Sequence, residues 1–179
     1  MKFLRINQKL KRVLPIIIGV LVADQLTKLA VLWAITKGQI IHVTSFFNLV
    51  LTFNTGVSFS LFQSNGMLGL WLLISIAIGL CIWLCVLIKQ SHDKNEQIAF
   101  SMVIGGAIGN ITDRFLYGGV VDFLDFHIKK YHWPAFNIAD SAIVVGAIII
   151  LCAQLWHSFQ NNAKRTNNVR NKSPKQRDR

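Results

Sequence analysis

One segment of the chain, Leu68–Ile88, contains 21 residues and no charged side chain. A helix needs about 20 predominantly apolar residues to cross the hydrocarbon core of a bilayer, so this run is long enough to span a membrane. The composition of the whole chain supports the same class, because 53% of its 179 residues are hydrophobic and only 15% are charged. A soluble domain of this length would leave much of that apolar surface in water. We therefore expect a single-domain integral membrane protein.

Three further apolar segments complete a predicted four-helix membrane domain over residues 13–159. The expected helices cover about residues 13–36, 68–88, 96–113 and 140–157. The third contains the shortest apolar run, Ile98–Ile111, and spans the core only with its polar flanks. The first begins like a cleavable signal peptide, with basic residues before an apolar stretch that reaches Ala23, but apolar character resumes at Leu29 and favours an uncleaved helix. The predicted fold class is an all-α integral membrane protein with four transmembrane helices and a small β-rich loop subdomain on the outer face.

Basic residues are distributed unequally between the two sides of this domain. The N-terminal segment 1–12, the connection between the second and third helices, and the tail 160–179 together carry fourteen Lys and Arg residues, against four in the outer loops 37–66 and 114–139. Positive residues are enriched on the cytoplasmic side of membrane proteins, so both termini are expected there. The tail is polar and basic, and we expect it to be disordered. Nucleic-acid binding is not expected, because the net charge of +11 lies mainly at the chain ends.

The first outer loop alternates β-branched and aromatic residues with other side chains between Ile40 and Phe53. This pattern predicts short strands at the membrane surface. The second outer loop carries an acidic and apolar stretch between Gly118-Gly119 and Trp133-Pro134.

Five of the eight acidic residues lie in or beside apolar segments: Asp24, Asp113, Asp122, Asp125 and Asp140. A carboxylate at the centre of a bilayer costs about 3 kcal/mol and usually has a partner. Asp24 and Lys28 are four residues apart on the first predicted helix, so they share a face and are expected to pair in a structural role. Asp113 stands beside Arg114 at the end of the third helix, where the two form either an interfacial ion pair or part of a site.

Glycines punctuate the third predicted helix at Gly105, Gly106 and Gly109. The spacing of Gly105 and Gly109 is typical of helices whose backbones approach closely. We therefore expect this helix to pack tightly against its neighbours.

Asp122 and Asp140 are the candidate catalytic pair. Taken singly, each has an ordinary explanation, Asp122 as a loop carboxylate and Asp140 as the N-cap of the fourth helix. Both, however, emerge within apolar sequence on the same predicted membrane face. Two carboxylates held close share a proton, so that one acts as base and the other as acid, which activates water against an amide. Asp125, three residues beyond Asp122, is expected to be dispensable.

Other hydrolytic chemistries fit the sequence less well. It contains no His-Glu-x-x-His zinc motif and no Gly-x-Ser-x-Gly elbow. His127 and His132 lie in a polar loop and are expected to be surface residues rather than metal ligands. Ser58 with Lys28 would make a Ser–Lys dyad, but nothing near Ser58 marks it as a nucleophile. No metal and no organic cofactor is expected.

Five short motifs resemble those of the lipoprotein signal peptidases (signal peptidase II), a family of aspartic peptidases. They are Asp24-Gln25-Leu26-Thr27-Lys28, Asn54-Thr55-Gly56-Val57-Ser58-Phe59, Gly109-Asn110-Ile111-Thr112-Asp113-Arg114, Val120-Val121-Asp122-Phe123 and Phe136-Asn137-Ile138-Ala139-Asp140-Ser141. They occur in the expected order, and the resemblance extends roughly from Val13 to Trp156. One departure is visible, because the family usually has two alanines where Val57-Ser58 stand.

The resemblance implies an intramembrane aspartic endopeptidase of the bacterial inner (cytoplasmic) membrane, with its active site near the outer face. Such an enzyme removes the signal peptide from prolipoproteins on the N-terminal side of a diacylglyceryl-modified cysteine, and membrane lipid is its second partner. The catalytic pair of the family matches Asp122 and Asp140. Residues that bind substrate or support the site match Asn54, Gly56, Asn110, Arg114 and Asn137. Structural or supporting residues match Asp24, Lys28 and Asp113.

A small proton-coupled transporter or channel subunit is the alternative from a different class. Intramembrane acidic residues also mark proton relays, which need ionisable residues strung across the bilayer. Here the acidic residues outside the cytoplasmic segments crowd the outer interface, with the exception of Asp24. This distribution favours the peptidase.

Overall fold

Within residues 2–56 and 66–172, which the computed structural model describes, the chain forms four helices and four strands. In chain order these are α1 (Lys2–Ala34), β1 (Ile40–His42), β2 (Phe47–Asn54), α2 (Gly66–Gln90), α3 (Lys94–Tyr117), β3 (Val120–Ile128), β4 (Tyr131–His132) and α4 (Ile138–Lys172). The mainly helical fold with a small antiparallel sheet agrees with the prediction.

Three of the described helices contain segments long and apolar enough to cross a membrane: Gln8–Ala34, Met67–Gln90 and Ile138–Gln160. α3 is less apolar, because polar side chains such as Gln97 and Asn110 lie along it and are buried. It packs against each of the other three helices. A helix in this central position turns its polar side chains towards protein rather than lipid, which accounts for the weak apolar signal of the third predicted span.

Two helices extend beyond their predicted limits. α1 begins at Lys2 rather than near residue 13, and α4 continues to Lys172 rather than ending near residue 157. The predicted limits followed the apolar runs, which mark the membrane rather than the helix, and the polar flanks contain no glycine or proline to interrupt a helix. The tail that was expected to be disordered is therefore helical as far as Lys172, and residues 173–179 lie outside the described part of the chain.

The glycines of α3 allow close contact with α1 and α4. A Cβ atom on Gly105 would lie 2.9 Å from the carbonyl oxygen of Ile17 in α1, and one on Gly109 would lie 2.5 Å from Asp24 Oδ2. A Cβ on Gly106 would overlap the backbone carbonyl of Ala139 in α4. The predicted close packing of this helix is confirmed, because side chains larger than hydrogen do not fit at these crossings.

The two loops that were predicted to lie on the outer face contribute strands to one antiparallel sheet with strand order β1-β2-β3-β4. The strands predicted in the first loop are present, and β2 pairs with β3 from the second loop. The pairing register shifts between Leu49 and Thr52, which marks a β-bulge in β2. Val121 and Phe123 of β3 pack with the C-terminal end of α1. β3 was not predicted because its sequence is apolar on both faces and lacks the alternation of a half-exposed strand.

Gly106→Ala is expected to destabilise the protein, because the added methyl group would overlap the backbone of α4. Overpacking costs about 1–3 kcal/mol, which outweighs a gain of about 1 kcal/mol in helix propensity. The matched control is Gly79→Ala in α2, where a Cβ atom meets nothing within 4 Å. Thermal unfolding in detergent should give a lower melting temperature for Gly106→Ala and an equal or higher one for Gly79→Ala. Equal melting temperatures for the two variants would contradict the close packing of α3 on α4.

Candidate active site

Three buried charged residues form an ion triad at the centre of the helix bundle. Lys28 Nζ lies 2.7 Å from Asp24 Oδ2 and 2.7 Å from Asp113 Oδ2. All three residues are at most 1% exposed. The predicted pair of Asp24 and Lys28 is confirmed. Of the two alternatives for Asp113 and Arg114, the ion pair between them does not form, because neighbouring residues on a helix point in different directions and Asp113 binds Lys28 of α1.

Each carboxylate of the ion triad also accepts a backbone N–H from a distant element. Asp24 Oδ1 accepts from Ala139 N, in the first turn of α4, at 2.9 Å. Asp113 Oδ2 accepts from Val121 N, in β3, at 3.0 Å. Ala139 and Val121 are the residues immediately before the two candidate catalytic aspartates. The ion triad therefore anchors the backbone on which both aspartates are carried.

Sequence reasoning assigned no role to Gln25. Its Nε2 donates to Asp24 Oδ2 at 3.2 Å and to Asp113 Oδ1 at 3.0 Å, so it closes the ion triad from the side. The only signal for this role was its place in the motif that begins at Asp24.

The surroundings of Lys28 do not support the alternative Ser58–Lys28 dyad. The Lys28 ammonium contacts two carboxylates and the side-chain oxygen of Asn110, the last at 3.2 Å. A cation held in this way is unsuited to act as a general base. Ser58 lies outside the described residues.

Asn137 connects the two candidate catalytic aspartates. Its Nδ2 donates to Asp122 Oδ1 at 2.7 Å, and its Oδ1 accepts from the backbone N–H of Asp140 at 2.8 Å. The backbone N–H of Asn137 in turn donates to Asp140 Oδ2 at 3.3 Å. This reciprocal pattern is a capping box, in which Asn137 is the N-cap of α4 and Asp140 is the third residue of the helix. The expectation that Asp140 is itself the N-cap is therefore wrong.

Asn110 holds the second oxygen of the Asp140 carboxylate. Its Nδ2 donates to Asp140 Oδ1 at 2.7 Å, while its Oδ1 accepts from Lys28 Nζ at 3.2 Å. An ammonium group only donates hydrogen bonds, so its contact determines which way the amide points. Asn110 thus connects the ion triad to Asp140.

Asp122 lies in an environment that disfavours its charged form. It is 1% exposed, and burial together with the nearby charge of Asp140 raises its pKa to about 6. The amides of Asn54 and Asn137 and the charge of Lys28 oppose the increase without cancelling it. A carboxyl group with this pKa exchanges a proton readily near neutral pH, which suits general acid–base chemistry.

The remaining predicted site residues lie around this pair. Arg114 Nη1 donates to the carbonyl oxygen of Asn110 at 3.2 Å, and its buried Nε has no hydrogen-bond partner among the described residues. Asn54 Oδ1 accepts from the backbone N–H of Gly56 at 2.9 Å. Gly56 has a φ of 78°, in the region that favours glycine, and a Cβ there would overlap the side chain of Leu73. Arg114 therefore keeps an unused donor beside the pair, and the turn at Gly56 requires a glycine.

Comparison with known families gives a single result. The family described as Signal peptidase (SPase) II matches residues 16–156 of the chain. A curated relative named lipoprotein signal peptidase, from Burkholderia thailandensis, is 42% identical over 137 residues, which cover 76% of this chain and 82% of the relative. A second, from Azoarcus sp. strain BH72, is 48% identical over 133 residues, which cover 74% of this chain and 76% of the relative.

Solved structures agree with this result. The chain is similar to a structure titled "Bacterial membrane enzyme structure by the in meso method at 1.9 A resolution", with a TM-score of 0.73 and 32% sequence identity. The match covers 80% of this chain and 92% of the other. A second structure, described in the same words at 2.3 A resolution, gives a TM-score of 0.72 with 31% identity and covers 82% of this chain and 88% of the other.

Asp24→Ala is expected to lower the amount of folded protein along with its activity. The substitution removes one of the two carboxylates that face Lys28 and leaves the Ala139 N–H without its acceptor. Breaking a buried ion pair typically costs about 3–5 kcal/mol. The control is Thr27→Val on the same helix, because the Thr27 hydroxyl donates only to carbonyl oxygens of α1. Folded yield and melting temperature in detergent test the expectation, and normal folding with abolished turnover would instead give Asp24 a part in the chemistry.

Proposed function

Because the chain belongs to the signal peptidase II family, we propose that Asp122 and Asp140 are the catalytic aspartates with which it cleaves its substrates. The protein is a peptidase that removes signal peptides from prolipoproteins. Its scissile bond, in our proposal, is on the N-terminal side of a cysteine that carries diacylglycerol. The observation that carries the catalytic assignment is that Asn137 contacts both carboxylates: its side-chain amide donates to Asp122 Oδ1, and its backbone N–H donates to Asp140 Oδ2.

The proposed mechanism uses the two carboxyl groups in opposite protonation states. The ionised group accepts a proton from a water molecule, whose oxygen attacks the carbonyl carbon of the scissile peptide. The protonated group donates a hydrogen bond to the carbonyl oxygen and later transfers a proton to the leaving amine. The raised pKa of Asp122 supports this division, because like charges held close do not ionise together.

Arg114 is proposed to bind the substrate. A buried guanidinium N–H without a partner carries a free-energy cost unless a ligand satisfies it. The Nε of Arg114, which has no partner within residues 2–56 and 66–172, is therefore suited to donate to a peptide carbonyl or to an ester oxygen of the diacylglycerol. Asn54 and Gly56 are proposed to line the same site from the first outer loop, because the Asn54 amide acts on the pKa of Asp122.

Membership of the signal peptidase II family, together with the apolar helices of the chain, indicates a multi-pass bacterial membrane protein. We propose that residues 13–159 form the peptidase domain, that all four helices cross the inner membrane, and that segments 1–12 and 160–179 are cytoplasmic. The active site then lies near the outer face. Apolar side chains of α2 and α4 are widely exposed, and such a surface is suited to contact both lipid and the acyl chains of the substrate.

The transporter alternative is not favoured. A proton relay requires ionisable groups at successive depths of the bilayer. Four of the acidic residues, Asp24, Asp113, Asp122 and Asp140, instead form one connected hydrogen-bonded cluster with Lys28 through Asn110 and Asn137. Cleavage of a lipidated peptide by purified protein without an ion gradient discriminates between the two functions.

Asp122→Asn and Asp140→Asn are each expected to reduce turnover by about 100- to 10,000-fold, the range typical of lost acid–base catalysis. Asparagine has nearly the shape of aspartate but accepts no proton at working pH, so fold and substrate binding should persist. The matched control is Asp93→Asn at the N-terminus of α3, where asparagine caps a helix equally well. Cleavage of a diacylglyceryl-modified peptide in detergent or liposomes is the measurement. Either variant turning over near the parent rate would end the aspartic-peptidase assignment.

Asp122→Asn is also expected to change how stability depends on pH. The folded-state pKa of Asp122 is about 6, against 3.8 for the ordinary group, so the folded state binds more protons between these values. Stability therefore falls as the pH rises through this window. The variant lacks this titration and should be more stable than the parent at pH 7, by about 3 kcal/mol, with most of the difference lost by pH 4. Unfolding in detergent at both pH values tests this, and equal stability at pH 7 would contradict the raised pKa.

A further inference from the structure

A row of polar side chains crosses all four strands of the outer sheet. His42 Nδ1 in β1 lies 2.8 Å from Asn48 Oδ1 in β2, and Asn48 Nδ2 donates to Asp125 Oδ2 in β3 at 2.8 Å. His132 Nδ1 in β4 lies 2.9 Å from Asp125 Oδ1. The central two side chains are nearly inaccessible, with 2% exposure for Asn48 and 6% for Asp125. We call these four residues the cross-strand row.

The central pair of this row lies next to the β-bulge. Asn48 is opposite Asp125, Leu49 is opposite Leu124, and the register then shifts so that Thr52 is opposite Asp122. The bulge thus lies between the Asn48–Asp125 pair and the catalytic position. A slip of one residue in β3 would turn every one of its side chains to the other face of the sheet.

Apolar burial by itself specifies the register of β3 weakly. The strand begins Val120-Val121-Asp122-Phe123-Leu124, so both of its faces are apolar apart from the aspartate. A slip of one residue exchanges the two faces of a strand, so it changes the buried apolar surface less when both faces are apolar than when one is polar. The hydrogen bond between Asn48 and Asp125, in contrast, forms in only one register.

Building on the proposed catalytic role of Asp122, we propose that Asn48 and Asp125 lock the register of β3 on β2 and thereby keep Asp122 turned towards Asn137 and Asp140. Asp125 is then a positioning residue of the reaction. This replaces the expectation from the sequence that Asp125 is dispensable.

The protonation state of Asp125 is consistent with this role. Burial acts to raise its pKa, but the hydrogen bonds from Asn48 and His132, with the charges of His132 and His127, outweigh burial and lower the pKa below its ordinary value. Asp125 is therefore ionised at neutral pH, and a carboxylate acceptor strengthens the bond from Asn48.

Exchange of the two side chains tests the lock. Asn48→Asp alone places two carboxylates on directly opposite residues, which destabilises a strand pair. The double variant Asn48→Asp with Asp125→Asn restores an amide-to-carboxylate hydrogen bond in the reverse direction. The carboxylate of the exchanged pair would then face His42 instead of His132, so the chemistry of the cross-strand row is conserved as its mirror image.

The turnover number per folded molecule is the primary readout, with Asp122→Asn measured in parallel. Displacement of a catalytic group by about 1 Å can cost about 100-fold in rate, so we expect Asn48→Asp to lose about 100-fold in kcat with little change in KM. Adding Asp125→Asn to this variant should raise kcat at least about tenfold. Such a recovery would show energetic coupling between the two contacting residues. The pH dependence of kcat should be altered in Asn48→Asp and restored in the double variant, because the repulsion from Asp140 that raises the pKa of Asp122 depends on their distance.

The outcomes separate this proposal from the catalytic assignment. If Asn48→Asp turns over at the parent rate while Asp122→Asn is inactive, the register lock is wrong and the catalytic pair stands. If Asn48→Asp does not fold, the double variant decides. A double variant that folds and cleaves supports the lock, and one that fails to fold, or folds without recovering turnover, overturns it.

Discussion

The buried ammonium of Lys28, held between Asp24 and Asp113, is the interaction on which the rest of the site depends. Burial of three charges is costly, and such groups often contribute more to conformational specificity than to net stability. Here each carboxylate reaches beyond the ammonium to one backbone N–H, in α4 or in β3. A single cluster within the bundle thereby determines where two separate elements meet. The proposed catalytic residues, Asp140 and Asp122, come directly after the anchored residues Ala139 and Val121 in the sequence.

The two aspartates differ in environment, although they share Asn137. Asp140 lies in the first turn of α4, where the helix dipole favours a negative charge, and it accepts hydrogen bonds from Asn110 and from the backbone of Asn137. Asp122 is buried in a strand, beside a like charge, and its pKa is raised. Burial and the nearby charge of Asp140 raise the proton affinity of Asp122, and an acid tuned in this way beside a second carboxylate is suited to one half of an acid–base pair.

The glycines of α3 make this arrangement possible. At Gly109 the absence of a side chain leaves room for the Asp24 carboxylate, and at Gly106 it lets the start of α4 contact α3. Larger residues would separate α3 from α1, with which it forms the ion triad, and from α4, whose Ala139 N–H the triad binds. Close helix packing and buried charge are therefore coupled in this protein, because the ion pairs require the short distances that small residues allow.

Much of the fold and of the candidate site could be predicted from sequence patterns of short range. Apolar runs indicated the membrane class and the four helices, the four-residue spacing of Asp24 and Lys28 predicted their pairing, and the glycine spacing predicted close packing. These predictions succeed because the repeat of a helix fixes the contacts of residues within about one turn. The motifs also pointed to Asp122 and Asp140. The partner of Asp113 and strand β3 were decided by contacts between elements far apart in the chain, such as that between Asp24 and Ala139, 115 residues apart. No local spacing encodes such a contact, because it exists only once helices and strands have packed and each buried polar group has found its partner.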